Sequence, residues 1–139
     1  MRFMVLVKAT KESETGSPPS AEMLSEMGKF NQQLIDAGVL LDANGLRASK
    51  QGARVRFNGT KRTVIDGPFT EAKELVAGYW VWQCKSLEEA IEWVKRCPNP
   101  MPVESEIEIR QIAELSDFRD VSEEEVKKME KSFATFKKG

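Results

Sequence analysis

The stretch ELVAGYWVWQCK, residues 74–85, decides how this chain folds. Its apolar and aromatic run is too short for a membrane-crossing helix and too β-prone for a surface helix, so it reads as a central strand. On a strand, Trp80 and Trp82 share one face while Tyr79 and Val81 share the other. Both faces are apolar, so both want cover. RFMVLVK, residues 2–8, has the same character, with Phe3, Val5 and Val7 alternating with Met4 and Leu6.

Downstream, Ser86 and Glu89 form a capping-box pattern, Leu87, Ala90, Ile91 and Val94 make a helical stripe, and Pro98 ends it. SEIEIRQI, residues 105–112, is the last strand, with Ile107 and Ile109 on one face and Glu106, Glu108 and Arg110 on the other. Upstream, VIDGPFTEAKE (64–74) reads as a strand end, a turn at Gly67–Pro68 and a charged link. Before it, ARVRFNGTKRTVID (53–66) is a hairpin on Asn58–Gly59, residues that both tolerate the positive φ of a type I′ turn. VLLDANGLRAS (39–49) reads as a short strand, a turn at Asn44–Gly45 and an irregular segment carrying Arg47.

A first helix runs from an N-cap at Ser20 to a C-cap at Gly38, with Met23, Met27, Phe30 and Leu34 on its buried stripe. ATKESETGSPPS (9–20) is a polar loop longer than the usual connection, either a lid over a site or plain surface. A C-terminal helix starts at Ser122, with Glu125 as its capping partner and Val126, Met129, Phe133 and Phe136 along a narrow apolar stripe.

The order strand, helix, strand or hairpin, strand, helix, strand belongs to the α+β class. It predicts a ferredoxin-like βαββαβ sheet with an extra hairpin and both helices on one face. Residues 1–115 form the domain, and 116–139 a linker plus the amphipathic helix. The second apolar sheet face predicts a homodimer with a barrel-like or sandwich interior, whose inter-sheet cleft would carry Asp66, Glu108 and Arg110 near its rim or on its polar face; their other reading is solvated charges on an edge strand.

Composition narrows the chemistry. The 139 residues are 40% hydrophobic and 31% charged, and 21 basic against 22 acidic residues leave a net charge of -1. That balance favours neither nucleic acid nor an anionic membrane as partner. The absence of histidine excludes a Ser-His-Asp triad, a Cys-His pair and imidazole-based zinc sites within this chain. Cys84 and Cys97 have no metal-ligand spacing, and the N-terminal run reads as a strand and not a signal peptide. The expectation is a cytoplasmic protein without metal or cofactor, in which acid–base work falls to Asp, Glu, Lys, Tyr or water.

Asp66 is the candidate catalytic carboxylate. Its other reading is an Asp that accepts backbone N–H groups in the Gly67–Pro68 turn. Glu71, Lys73 and Glu74 either line a cleft or form a solvated link with weak ion pairs. Trp80 and Trp82 make either an aromatic wall for a planar ligand or core and interface packing. Cys84 reads as packing, since no imidazole is present to activate it.

DGPFTEAKE (66–74), AGYWVW (77–82), EAIEWVKRCPNPMP (89–102) and EIEIR (106–110) together resemble the YCII-related family, also called the DGPF-domain proteins, over roughly residues 1–112. The resemblance implies a bacterial dimeric α+β barrel, frequently encoded near extracytoplasmic-function sigma factors, and enzymatic activity in relatives whose Asp and His face one cleft. Asp66 matches the aspartate. Where relatives often read GLHP this chain reads GLRAS, so Arg47 stands at the imidazole's place and a His-Asp dyad is impossible. Arginine can position the carboxylate but is a poor proton shuttle. The leading expectation is a homodimer binding a small organic ligand, with Asp66 catalytic, Arg47, Glu71, Lys73, Trp80 and Arg110 binding, and cofactor-independent isomerisation or hydrolysis. A sigma-factor-associated interaction module and a catalytically inactive structural dimer stand beside it.

Overall fold

Strand β1 (Arg2–Lys8) is paired on both edges in the computed structural model, which describes residues 1–118 and 122–138. With β2 (Leu40–Gly45), β5 (Val76–Gln83) and β6 (Ile107–Gln111) it forms an antiparallel sheet ordered β2-β5-β1-β6. This is the ferredoxin-like order, in which each crossover helix skips one strand. The register sets Phe3 opposite Trp82 and Val5 opposite both Trp80 and Ile109. Alternation therefore puts Phe3, Val5, Val7, Trp80 and Trp82 on one buried face.

That face is covered by α2 (Ala21–Asp36), through Phe30 and Leu34, and by α3 (Leu87–Arg96), through Ala90. Phe30 meets Trp80, Trp82 and Trp93 edge-on, with ring centroids 6.1, 6.2 and 6.5 Å away. Each large side chain taken from water here stabilises the fold by roughly 1.5–3 kcal/mol before the entropy of ordering it.

The helix ends follow their expected chemistry. Ser20 Oγ accepts from Met23 N–H at 3.1 Å. α2 stops in a Schellman motif, with Gly38 at φ +72° and Val39 N–H donating to the Leu34 carbonyl at 2.9 Å. Ser86 Oγ accepts from Glu89 N–H, and the Glu89 carboxylate turns back to Lys85 N–H at 2.8 Å. Lys95 and Arg96 fill the last turn of α3 against its dipole, and Pro98 follows the Cys97 cap.

Three local readings need correction. Asn44 and Gly45 are not a turn: they continue β2 opposite Tyr79 and Gly78, because pairing with β5 outweighs the local turn preference. The polar loop contains a four-residue helix, α1 (Lys11–Glu14), closed by a reciprocal capping box between Thr10 and Ser13. In the hairpin of β3 (Ala53–Asn58) and β4 (Lys61–Asp66), Asn58 pairs with Lys61, so the loop residues are Gly59 and Thr60. Gly59 alone has positive φ, +61°, the pattern of a type II′ turn rather than I′.

The β3–β4 arm is a sheet of its own. The second face of the main sheet carries half-buried Met4, Leu6, Tyr79 and Val81, with Arg110 opposite Met4 and Glu108 opposite Leu6. Beyond β6, α4 (Glu123–Lys138) starts where Ser122 Oγ accepts from Glu125 N–H, and it leaves Met129, Phe133 and Phe136 exposed. Of the linker expected from residue 116 onward, residues 119–121 lie outside the described residues, as does Gly139.

Candidate functional site

Between the helix-covered face of the sheet and the loop 10–20 lies an open cleft of about 1180 Å³. The loop is fixed at both ends. Thr10 caps α1 and sets its hydroxyl 3.5 Å from Met101 Sδ, and Ser20 caps α2. Val7, Met27, Trp80 and Met101 form the floor. Trp80 is only 5% exposed, and its indole Nε1 donates to Asn31 Oδ1 at 2.9 Å. The neighbouring indole, Trp82, is fully buried and its Nε1 has no partner among the described residues.

The rim is the segment after β2. Leu46 N–H donates to the Ala77 carbonyl at 2.8 Å and anchors it. Arg47 Nη1 then donates to Gln51 Oε1 at 3.0 Å, across the short 3₁₀ turn Ser49–Gln51. The Glu14 carboxylate reaches over from α1 to accept Ser49 N–H at 2.8 Å and the Ser49 hydroxyl. That hydroxyl in turn accepts Phe69 N–H at 3.0 Å. One serine thus ties the loop over the cleft to the Gly67–Pro68–Phe69 turn.

The turn itself is pressed against the rim. Gly67 N–H donates to the Gly52 carbonyl at 3.1 Å, and a Cβ on Gly67 would overlap the Ser49 carbonyl oxygen, so only glycine fits. The Gly67–Pro68 peptide is cis. The Arg54 guanidinium lies over the Phe69 ring, 3.8 Å from its centroid.

The structure gathers some of the expected site residues and separates others. Arg47 and Trp80 line the same cleft, one at the rim and one in the floor. Asp66 stands at the base of the arm opposite Ala53, exposed, one residue from the Gly67 contact with the rim. Among the described residues its carboxylate accepts no hydrogen bond; the turn amides at 67 and 69 go to Gly52 and Ser49 instead. Glu71 and Lys73 sit exposed at the 3₁₀ turn Ala72–Glu74, away from the cleft lining. Arg110 is on the opposite sheet face, 3.4 Å from Glu108.

Sequence reasoning missed Asn31, Glu14 and Ser49. Asn31 was findable: it is a polar residue on the stripe of Met27 and Leu34, where an amide is present because something buried needs it. Burial disfavours the thiolate form of both cysteines. Burial, and secondarily Glu89, pushes Cys84 up, and burial pushes Cys97 up to about 12. Among the described residues no group of three or more Cys, Asp or Glu converges as a metal site, and no helix is long and apolar enough to cross a membrane. What the cleft offers is an apolar floor with a preset indole and a guanidinium at its edge.

An uncharacterised protein of Rhizobium meliloti (strain 1021) is 28% identical over 91 residues, covering 66% of this chain and 73% of the relative. The family model described as the YCII-related domain matches residues 1–116, which include the sheet, both covering helices, the arm and every residue of the cleft. The chain therefore belongs to the YCII-related domain family.

Proposed function

We propose that the protein binds a small organic ligand in the cleft between its sheet and α2, and does so as a cytoplasmic homodimer without a bound cofactor. The observation that carries this is the floor: a buried Trp80 held by Asn31 beneath a space of about 1180 Å³, with Arg47 at the rim. Ligand sites combine an apolar wall with few convergent polar groups in this way. The dimer is supported by Met4, Leu6, Tyr79 and Val81, an apolar sheet face that no helix of the described residues covers. A partner sheet packed there would face Arg110 and Glu108, the inter-sheet residues of the reading.

Asp66 is the candidate catalytic carboxylate, supported by its exposed position one residue from the Gly67 contact with the rim, without a hydrogen-bond partner for its carboxylate among the described residues. Glu71 and Lys73 complete the candidate polar set on the link that follows. The cleft is tested by thermal shift with a metabolite panel against wild type and Ala43→Trp, which fills the cleft from β2 beside Trp80. Compounds that raise the wild-type Tm and leave Ala43→Trp unmoved support the site; equal shifts in both reject it. Asp66→Asn, assayed with any such compound, retains binding and loses turnover if the catalytic assignment holds. Leu6→Lys yields a monomer in sedimentation if the open face is the dimer face, and an unchanged mass rejects it.

A second reading rests on α4, whose Met129, Phe133 and Phe136 are exposed along one helix. That stripe suits a protein partner, the regulatory module of the sigma-factor-associated kind. Removal of residues 122–139 tests it through the set of proteins retained in pull-down.

A further inference from the structure

We infer that the cleft selects an organic anion: an apolar body carrying one carboxylate or an equivalent oxyanion group. This rests on the cleft being a ligand site, as proposed above, and names what it takes. Three side chains of full charge line it, Arg47 and Lys50 on the rim and Glu12 on α1. The cations are in excess, and both lack a counter-charge: among the described residues neither Arg47 nor Lys50 is in an ion pair. Arg47 is held by the neutral Gln51 amide through Nη1, which leaves the rest of its donor fork open. Of the two acids on α1, Glu14 is occupied by Ser49, and Glu12 lines the cleft without an ion pair to either cation among the described residues.

A guanidinium held in place by an amide, and not by a carboxylate, presents a fork that matches a planar oxyanion two bonds at a time. The floor beneath it sets the rest of the molecule. Trp80 borders the cleft as a buried side chain with its N–H already spent on Asn31, so it gives the floor an apolar edge and no donor. Met27 and Met101 beside it are soft and adaptable, which suits an apolar body of variable shape. A cation would meet Arg47 and Lys50 with like charge. A neutral body would gain the floor alone.

The test uses 2-naphthoate, its neutral isostere 2-naphthamide and 2-naphthylmethylammonium as probes of the full chain, read by the Trp80 indole N–H cross-peak in ¹⁵N NMR. That peak is assigned with Trp80→Phe. Naphthoate is expected to bind about tenfold or more tighter than the amide, as a charge-assisted hydrogen bond confers, and the ammonium weakest. Arg47→Met removes the difference; Arg47→Lys keeps part of it; added salt shrinks it. Equal affinities for naphthoate and naphthamide overturn the anion assignment while the cleft stands. A preference that survives in Arg47→Met also overturns it. No shift of the Trp80 peak with any of the three probes overturns the cleft itself and the inference with it.

Discussion

Trp80 and Asn31 are joined by a hydrogen bond of 2.9 Å from indole to amide, across the boundary between the sheet and α2. Its removal from the Asn31 side leaves an indole N–H without a partner. Asn31→Leu is expected to cost about 1–3 kcal/mol in urea unfolding, the penalty of a buried donor left unsatisfied. In a Trp80→Phe background the same substitution costs less, because there is no donor to orphan. Equal costs in both backgrounds would show that the bond contributes nothing specific.

Gly67 and Ser49 control the rim together. Gly67→Ala must displace the Ser49 carbonyl or the turn, and about 1–3 kcal/mol of lost stability is expected from such overpacking. Ser49→Ala leaves Phe69 N–H without its acceptor and removes the hydroxyl bond to Glu14 while keeping the amide one, at a cost of about 1 kcal/mol. Limited proteolysis distinguishes the two positions: Ser49→Ala speeds cleavage in the loop 10–20, whereas the arm stays as it was.

Arg2 and Glu114 form a two-bond pair, Nε to Oε1 at 2.9 Å and Nη2 to Oε2 at 3.1 Å, which ties β1 to the segment after β6. The hydrogen bond from Arg2 holds the Glu114 carboxyl below the ordinary carboxylate range. A lowered folded-state value contributes stability above the unfolded carboxyl's range and loses it as pH falls through the lowered value. The pair is exposed, so salt screens the effect. A carboxyl-carbon NMR titration should place the Glu114 midpoint below the ordinary carboxylate range, and Arg2→Met should bring it back towards that range.

Cys84 and Cys97 are both pushed up by burial, so thiolate is scarce in the folded chain. Ellman's reagent near pH 8 is expected to label neither thiol on the time scale of mixing and both after denaturation. Rapid labelling of native Cys84 would contradict its place in the core.

Where the fold was legible, the information was local and periodic. The two-faced alternation in Phe3–Val7 and Tyr79–Trp82 gave both central strands, and the caps at Ser20, Gly38 and Ser86 gave both covering helices. Asn44–Gly45 was misread because a turn-prone dipeptide says nothing of the strand waiting beside it. Of the site, Arg47 and Trp80 could be singled out by chemistry, yet nothing in their spacing showed that the loop 10–20 would close one cleft around both. The Glu14–Ser49–Phe69 relay spans gaps of 35 and 20 residues, and no periodicity reaches that far. Asp66 carried the motif, while the turn's amides at Gly67 and Phe69 are accepted by Gly52 and Ser49, which lie outside it.

The pairing of β1 with β5 and β6 has a consequence in time. Residues 2–8 pair along the sheet with residues 76–83 and 107–111, so β1 is completed by strands made much later. At ribosomal speeds of about 5–20 residues per second, FMVLV waits on the order of ten seconds without an edge to pair with. The arm, closed by two residues at Gly59–Thr60, zips in about 1–10 μs once its second strand exists. Nascent chains of this protein should therefore depend on holdase chaperones through residues 2–8, and charged substitutions at half-buried Met4 should raise the soluble yield of truncated chains before they alter the finished fold.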